Sequence, residues 1–143
     1  MIANGTEQLV GTWKLVSASS RDTSGNLNEP PYGLNPTGFL TYTKDGRVTA
    51  LISHGGRKPL SAKPPLLLEQ QAEAFKTFLA YGGHYRLDGD KVVHSIEISS
   101  VQNYVNKELV RTLKFQDDEI VLLTPPTMVN GKMQIIELSW RRL

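Results

Sequence analysis

Cysteine is absent from all 143 residues, which excludes disulfides, thiolate metal ligands and thiol catalysis, and fits a reducing compartment. Long apolar runs are missing as well. No segment approaches the ~20 residues of a membrane span, and the opening MIANGTEQLVGTW has neither the basic nor the apolar stretch of a secretory leader. The expectation is a soluble, cytoplasmic protein that does not engage a membrane. An excess of charge of one sign is missing too: the formal net charge is +2, with both signs interspersed and Arg141 and Arg142 adjacent at the end. That is too little field to steer the chain onto nucleic acid. The three histidines, at 54, 84 and 94, keep no metal-ligand spacing, so no metal is expected. Phosphate-cradling glycine loops, nucleophile elbows and paired catalytic carboxylates are also missing, so the chain is expected to use no cofactor.

What is present is a succession of short alternating segments. In GHYRLDGDKVVHSIEI, residues 83–98, a two-residue Gly89-Asp90 loop would pair Asp88 with Lys91, Leu87 with Val92 and Tyr85 with His94. Leu87, Val92, Ile96 and Ile98 would then form an apolar face into which Tyr85 and His94 are set. GFLTYTKDGRVTALIS carries a three-residue loop, Lys44-Asp45-Gly46, which pairs Tyr42 with Val48, Leu40 with Ala50 and Gly38 with Ile52. A turn at Asp117-Asp118 pairs Phe115 with Ile120, Leu113 with Leu122 and Arg111 with Thr124. Arg111 would share the inward face of Leu109, Leu113 and Phe115.

Elsewhere Thr6 is placed to cap a single helical turn that Gly11 ends, and a strand runs from Thr12 to Ala18 with Trp13 and Leu15 inward. Residues 19–37 read as a long polar loop. Pro64 and Pro65 suit the start of an amphipathic helix over about residues 64–81, whose stripe Leu68, Ala72, Phe75 and Leu79 would cover an opening. Pro125-Pro126 and Asn130-Gly131 bound the last strand, Met133 to Leu143, in which Ile136, Leu138 and Trp140 are the better inward set. The competing set includes Glu137 and Arg141. About eight strands in hairpin order, without βαβ alternation, predict an all-β protein: one domain, residues 1–143, forming a closed antiparallel up-and-down barrel.

Several of these stretches resemble a known family. Gly11-Thr12-Trp13 resembles the GxW signature of lipocalins, whose Trp closes the barrel floor under an Arg near the chain's end; Arg141 or Arg142 matches that Arg by position. LVGTWKLVS, GFLTYTKDGRVTA, YGGHYRLDGDKVVHSIE, ELVRTLKF and SWRR, from about Leu9 to Arg142, are similar to the short lipocalin-like domain proteins of bacteria and fungi. The resemblance implies a ligand cavity. Related small barrels include cofactor-free cyclases of natural-product pathways.

The candidate chemistry lies on the inward faces. His94 in an apolar barrel could act as acid, base or hydrogen-bond donor, or serve structurally by bonding Tyr85 or a carbonyl. Arg111 cannot shed its proton, so inside a barrel it answers either to a carboxylate such as Glu137 or to a ligand bearing a carbonyl or negative charge. Tyr85 completes the catalytic set under an enzyme reading. Tyr42, Trp13, Leu40, Ile96, Leu113 and Trp140 form the wall a ligand would touch, the two tryptophans chiefly as core. The expected function is binding of one small, mostly apolar or carbonyl-bearing molecule, with or without cofactor-free cyclisation or isomerisation. A solid-core structural or interaction domain is the other alternative. The chain is expected to be a monomer or homodimer, because barrel closure removes sheet edges but leaves its faces free.

Overall fold

A computed structural model describes residues 5–60, 67–129 and 131–143. The strands are β1 (Gly11–Asp22), β2 (Thr37–Tyr42), β3 (Arg47–Ser53), β4 (Phe78–Asp88), β5 (Lys91–Ser99), β6 (Glu108–Gln116), β7 (Glu119–Leu123), β8 (Thr127–Val129) and β9 (Lys132–Arg142); the helices are α1 (Gly5–Leu9) and α2 (Leu68–Lys76). The sheet runs β1 through β7, then β9, and closes by pairing β9 with β1. The result is an eight-stranded antiparallel barrel. The ninth strand, β8, pairs only with β9, beside Lys132–Gln134. It continues the row of β7 along the same edge of β9, and the intervening Pro125-Pro126 cannot donate ladder hydrogen bonds.

The three hairpin registers expected from turn chemistry are present: Asp88 with Lys91, Tyr42 with Val48, and Gln116 with Glu119. Gly46 and Gly89 hold φ of 90° and 62° in their loops, where a Cβ would be strained. On β9, Leu138 and Trp140 are buried. Ile136 packs against the core they join, so Glu137 falls on the opposite face.

Several local expectations are corrected. The helix ends at Lys76 rather than near 81, because Phe78, Leu79, Ala80 and Tyr81 pair with Ser53, Ile52, Leu51 and Ala50 as the start of β4; residues 64–66 lie outside the described ones. The stripe ending in Leu79 therefore does not form. No α2 residue is buried, and one barrel end is instead met by α1, whose Leu9 is fully buried. Next, Ile98 is 71% exposed, because the ladder steps from Gly82–Ile98 to Gly83–Ile96. Glu97 is left as a bulge and the alternation beyond it is reversed. Phe115 is also exposed, at the outer end of β6. Finally, β1 runs on to Asp22, paired with β9 as far as Gln134, and the β6–β7 ladder stops at Thr112–Leu123. Thr124 bonds Ile136 of β9 through its amide, at 2.9 Å, instead of facing Arg111.

The α1 end is fastened by Trp13 and Arg142. The indole Nε1–H donates to the Leu9 carbonyl at 2.9 Å, and the Arg142 guanidinium stacks 4.2 Å from the Trp13 ring centroid. Arg142 also donates to the carbonyls of Val10 and Gln8. Of the two terminal arginines, Arg142 is thus the one over the tryptophan; Arg141 points outward to Asp118 and Glu119. Among the described residues no helix is long and apolar enough to cross a membrane.

Candidate functional site

With α1 occupying one end, the lumen remains open to side chains from the other. β4 carries Tyr85 and Leu87 toward the α1 end, where Leu87 lies near Gly5, and carries Leu79 and Tyr81 into the opposite half. There the wall encloses a cavity of about 40 Å³ lined by Leu40, Ala50, Ile52, Leu79, Tyr81, His94, Arg111, Leu122, Leu138 and Trp140, with Tyr32 also on its lining. A larger groove of about 540 Å³ lies outside the barrel between residues 55–60 and α2. It is open to solvent and, unlike the internal cavity, carries no buried polar group.

His94 is 1% exposed. Its Nε2 lies 2.7 Å from the Tyr42 hydroxyl and its Nδ1 lies 2.6 Å from the Tyr81 hydroxyl. β2, β4 and β5 thus each send one ring into a single buried chain. Burial, reinforced by the nearby Arg111 charge, pushes the His94 pKa down to about 3, so the ring is neutral at physiological pH. Burial likewise raises the pKa values of Tyr42 and Tyr81, keeping both phenols protonated.

Arg111 faces inward because it pairs with buried Val92. One of its N–H groups donates to the Val110 carbonyl at 2.9 Å. Among the described residues no carboxylate forms an ion pair with it, Glu137 included. A guanidinium usually finds such a partner when water is excluded. Trp140, on the wall of the same cavity, adds a second uncommitted donor: its Nε1 is buried without a hydrogen-bond partner among the described residues.

A loop that the sequence leaves without regular structure also reaches the cavity. Tyr32 stands in the connection between β1 and β2. Its carbonyl accepts from the Gly55 amide at 3.1 Å, and its ring meets His54 edge-on at 5.4 Å. Gly55 permits this approach, since a Cβ there would fall 1.6 Å from the Leu34 carbonyl oxygen. Tyr104, at the end of a 3-10 turn (Gln102–Tyr104), packs against the core. Burial raises the pKa of Tyr32, with Arg111 opposing.

The structure therefore gathers some of the anticipated residues and separates others. His94, Arg111, Leu40 and Trp140 share the cavity wall, and Tyr42 stands behind His94. Tyr85 lies apart: its hydroxyl donates to the Thr43 carbonyl at 3.0 Å, and its ring meets Tyr42 edge-on at 4.8 Å. Trp13 belongs to the α1 end. Ile96 and Leu113 pack within the core without lining the cavity. Tyr81 escaped the sequence reading because it fell inside the expected helix. Tyr32 escaped because nothing in a Pro- and Asn-rich segment signals which side chain turns inward.

Residues 10–143 match the lipocalin-like domain family. A 4'-hydroxy-3'-methoxypropiophenone carrier protein from Aspergillus oryzae is 28% identical over 99 residues, covering 63% of this chain and 86% of that protein. The matched span, the closed barrel and the Trp13–Arg142 closure agree, and the chain belongs to the lipocalin-like domain family.

Proposed function

We propose that the chain binds one small, mostly apolar molecule in its lumen and acts as a non-catalytic carrier. The observation that carries this reading is Arg111, an inward guanidinium on a mostly apolar wall with no carboxylate ion pair among the described residues. Such a group raises the free energy of the empty barrel unless something else meets it. The similarity to a protein named as a carrier of an aryl ketone supports the same reading.

A cavity of about 40 Å³ has room for little more than one water-sized group, whereas sites for drug-sized ligands span roughly 300–1,000 Å³. Entry therefore requires lining residues, Tyr32 foremost, to swing aside while the strands stay paired. Titration of the wild-type protein with aryl ketones and phenols tests the reading, because Trp140 lies on the cavity wall and its emission reports occupancy. Saturable one-to-one quenching is expected; a flat titration across the panel contradicts it.

Cofactor-free cyclisation or isomerisation is the second reading, favoured by one feature: a guanidinium and a phenolic hydroxyl on one wall could polarise a carbonyl. His94 is poorly suited to act as its base. Both ring nitrogens are engaged, and a group with a pKa of about 3 has little basicity to offer. Time-resolved product analysis separates the two readings, since a carrier returns its ligand unchanged.

A further inference from the structure

The hydrogens in the lumen can be counted. A neutral imidazole has one N–H and one lone pair, so of the two tyrosines bonded to His94 one donates and the other accepts. The accepting hydroxyl keeps its own hydrogen. Were the ring protonated, both hydroxyls would accept and two hydrogens would be left. In either state at least one O–H is unspent, and among the described residues neither Tyr42 nor Tyr81 has another acceptor. Tyr81 lines the cavity and Tyr42 does not, so the spare hydrogen belongs to the lumen in the tautomer whose Nδ1–H donates to the Tyr81 hydroxyl.

To this are added the unpartnered Nε1–H of Trp140 and the remaining N–H groups of Arg111. The titratable groups that face the cavity are Tyr32, Tyr81, His94 and Arg111, with Tyr42 bonded behind His94 and Tyr104 packed against the core. Among the described residues no Asp or Glu lines the cavity. The polar side of the lumen is thus a surplus of donors and one positive charge, with no acceptor of matching charge.

We propose that the lumen takes its ligand as an anion, a mostly apolar molecule whose one ionised oxygen, phenolate or carboxylate, sits against Arg111 and accepts from Trp140 and the spare tyrosine hydroxyl. This rests on lumen binding and names the class of molecule bound. A neutral ketone would accept hydrogen bonds but leave the guanidinium charge unmet. An apolar molecule without an accepting oxygen would leave every donor stranded.

The test uses three probes of similar shape: 4-nitrophenol, 4-nitrobenzoate and the neutral 4-nitroanisole. Binding is followed by calorimetry, and the ionisation of bound nitrophenol by its yellow absorbance as pH is varied. The expected result is that one of the ionised probes binds at least about tenfold tighter than nitroanisole, and that bound nitrophenol ionises at lower pH than free nitrophenol. The tighter of the two ionised probes assigns the ligand as phenolate or carboxylate. In Arg111→Met the preference for the anion should vanish, while Arg111→Lys should keep part of it. If nitroanisole binds as well as the ionised probes, or bound nitrophenol ionises at higher pH, the anion assignment is overturned and lumen binding stands. If none of the three binds, both fall.

Discussion

The Tyr81 hydroxyl lies 2.6 Å from Nδ1 of His94, and this contact, with its counterpart from Tyr42, holds in the centre of the barrel an imidazole that burial and the nearby Arg111 charge keep neutral. The consequence is an acid-sensitive fold. His94 ordinarily takes up a proton near pH 6.5, yet in the folded chain it does so only near pH 3. Between those values the unfolded state binds the additional proton, so stability is complete above about pH 6.5 and falls as pH drops through that window. The full loss is on the order of 5 kcal/mol. Urea unfolding at about pH 7.5 and about pH 4.5 should show a loss of about 2–3 kcal/mol that is missing from His94→Gln. An equal slope in the variant would remove His94 as its source.

Arg142 should be worth more than its exposed position suggests. It stacks on Trp13 and donates to two carbonyls of the α1 segment, combining a cation–π contact with charge-assisted hydrogen bonds. Arg142→Ala is expected to cost about 2 kcal/mol in urea unfolding. Arg142→Lys should recover little, because an ammonium cannot stack and reach two acceptors in one plane.

Two adjacent glycines should differ sharply. A Cβ at Gly83 would lie 1.9 Å from the Ser95 carbonyl oxygen, whereas at Gly82 the nearest atom is an Ile98 methyl at 3.4 Å. Gly83→Ala must open the β4–β5 bulge and should cost more than about 2 kcal/mol; Gly82→Ala should cost less than about 1 kcal/mol. Thermal or urea unfolding of the pair decides it, and equal losses would mean the bulge is not held by this approach.

If Tyr32 gates the lumen, Tyr32→Ala should speed ligand association by about tenfold, read by stopped-flow quenching of Trp140 emission, because the barrier to entry is side-chain displacement. An unchanged rate would place the entry route elsewhere.

The barrel was legible wherever turn chemistry and two-residue alternation spoke together. Asp88-Gly89-Asp90, Lys44-Asp45-Gly46 and Asp117-Asp118 each set a register, and those registers turned Tyr42, Tyr85 and His94 inward; Arg111 follows from its pairing with Val92 on the neighbouring strand. What failed was set by non-local contacts. Phe78–Tyr81 reads equally well as the tail of a helical stripe, and only pairing with β3 makes it strand. The Glu97 bulge that exposes Ile98 comes from the close approach of Gly83 to Ser95, which no alternation pattern reports. Tyr32 reaches the cavity because Gly55 lets two loops touch. His94 was legible as inward, but its partners were not: Tyr85, its neighbour in the ladder, bonds Thr43, while Tyr42 and Tyr81 take the two ring nitrogens.

The most direct measurement is the melting temperature of wild type and Arg111→Met, each with and without the tightest-binding probe. A guanidinium kept inside the barrel for a ligand is a liability without one. Arg111→Met should therefore melt at or above the wild type when empty and gain much less from the probe than the wild type, whose stability grows with probe concentration. An empty variant that melts well below the wild type, or one stabilised by the probe as much as the wild type, would contradict the assignment of Arg111 to the ligand.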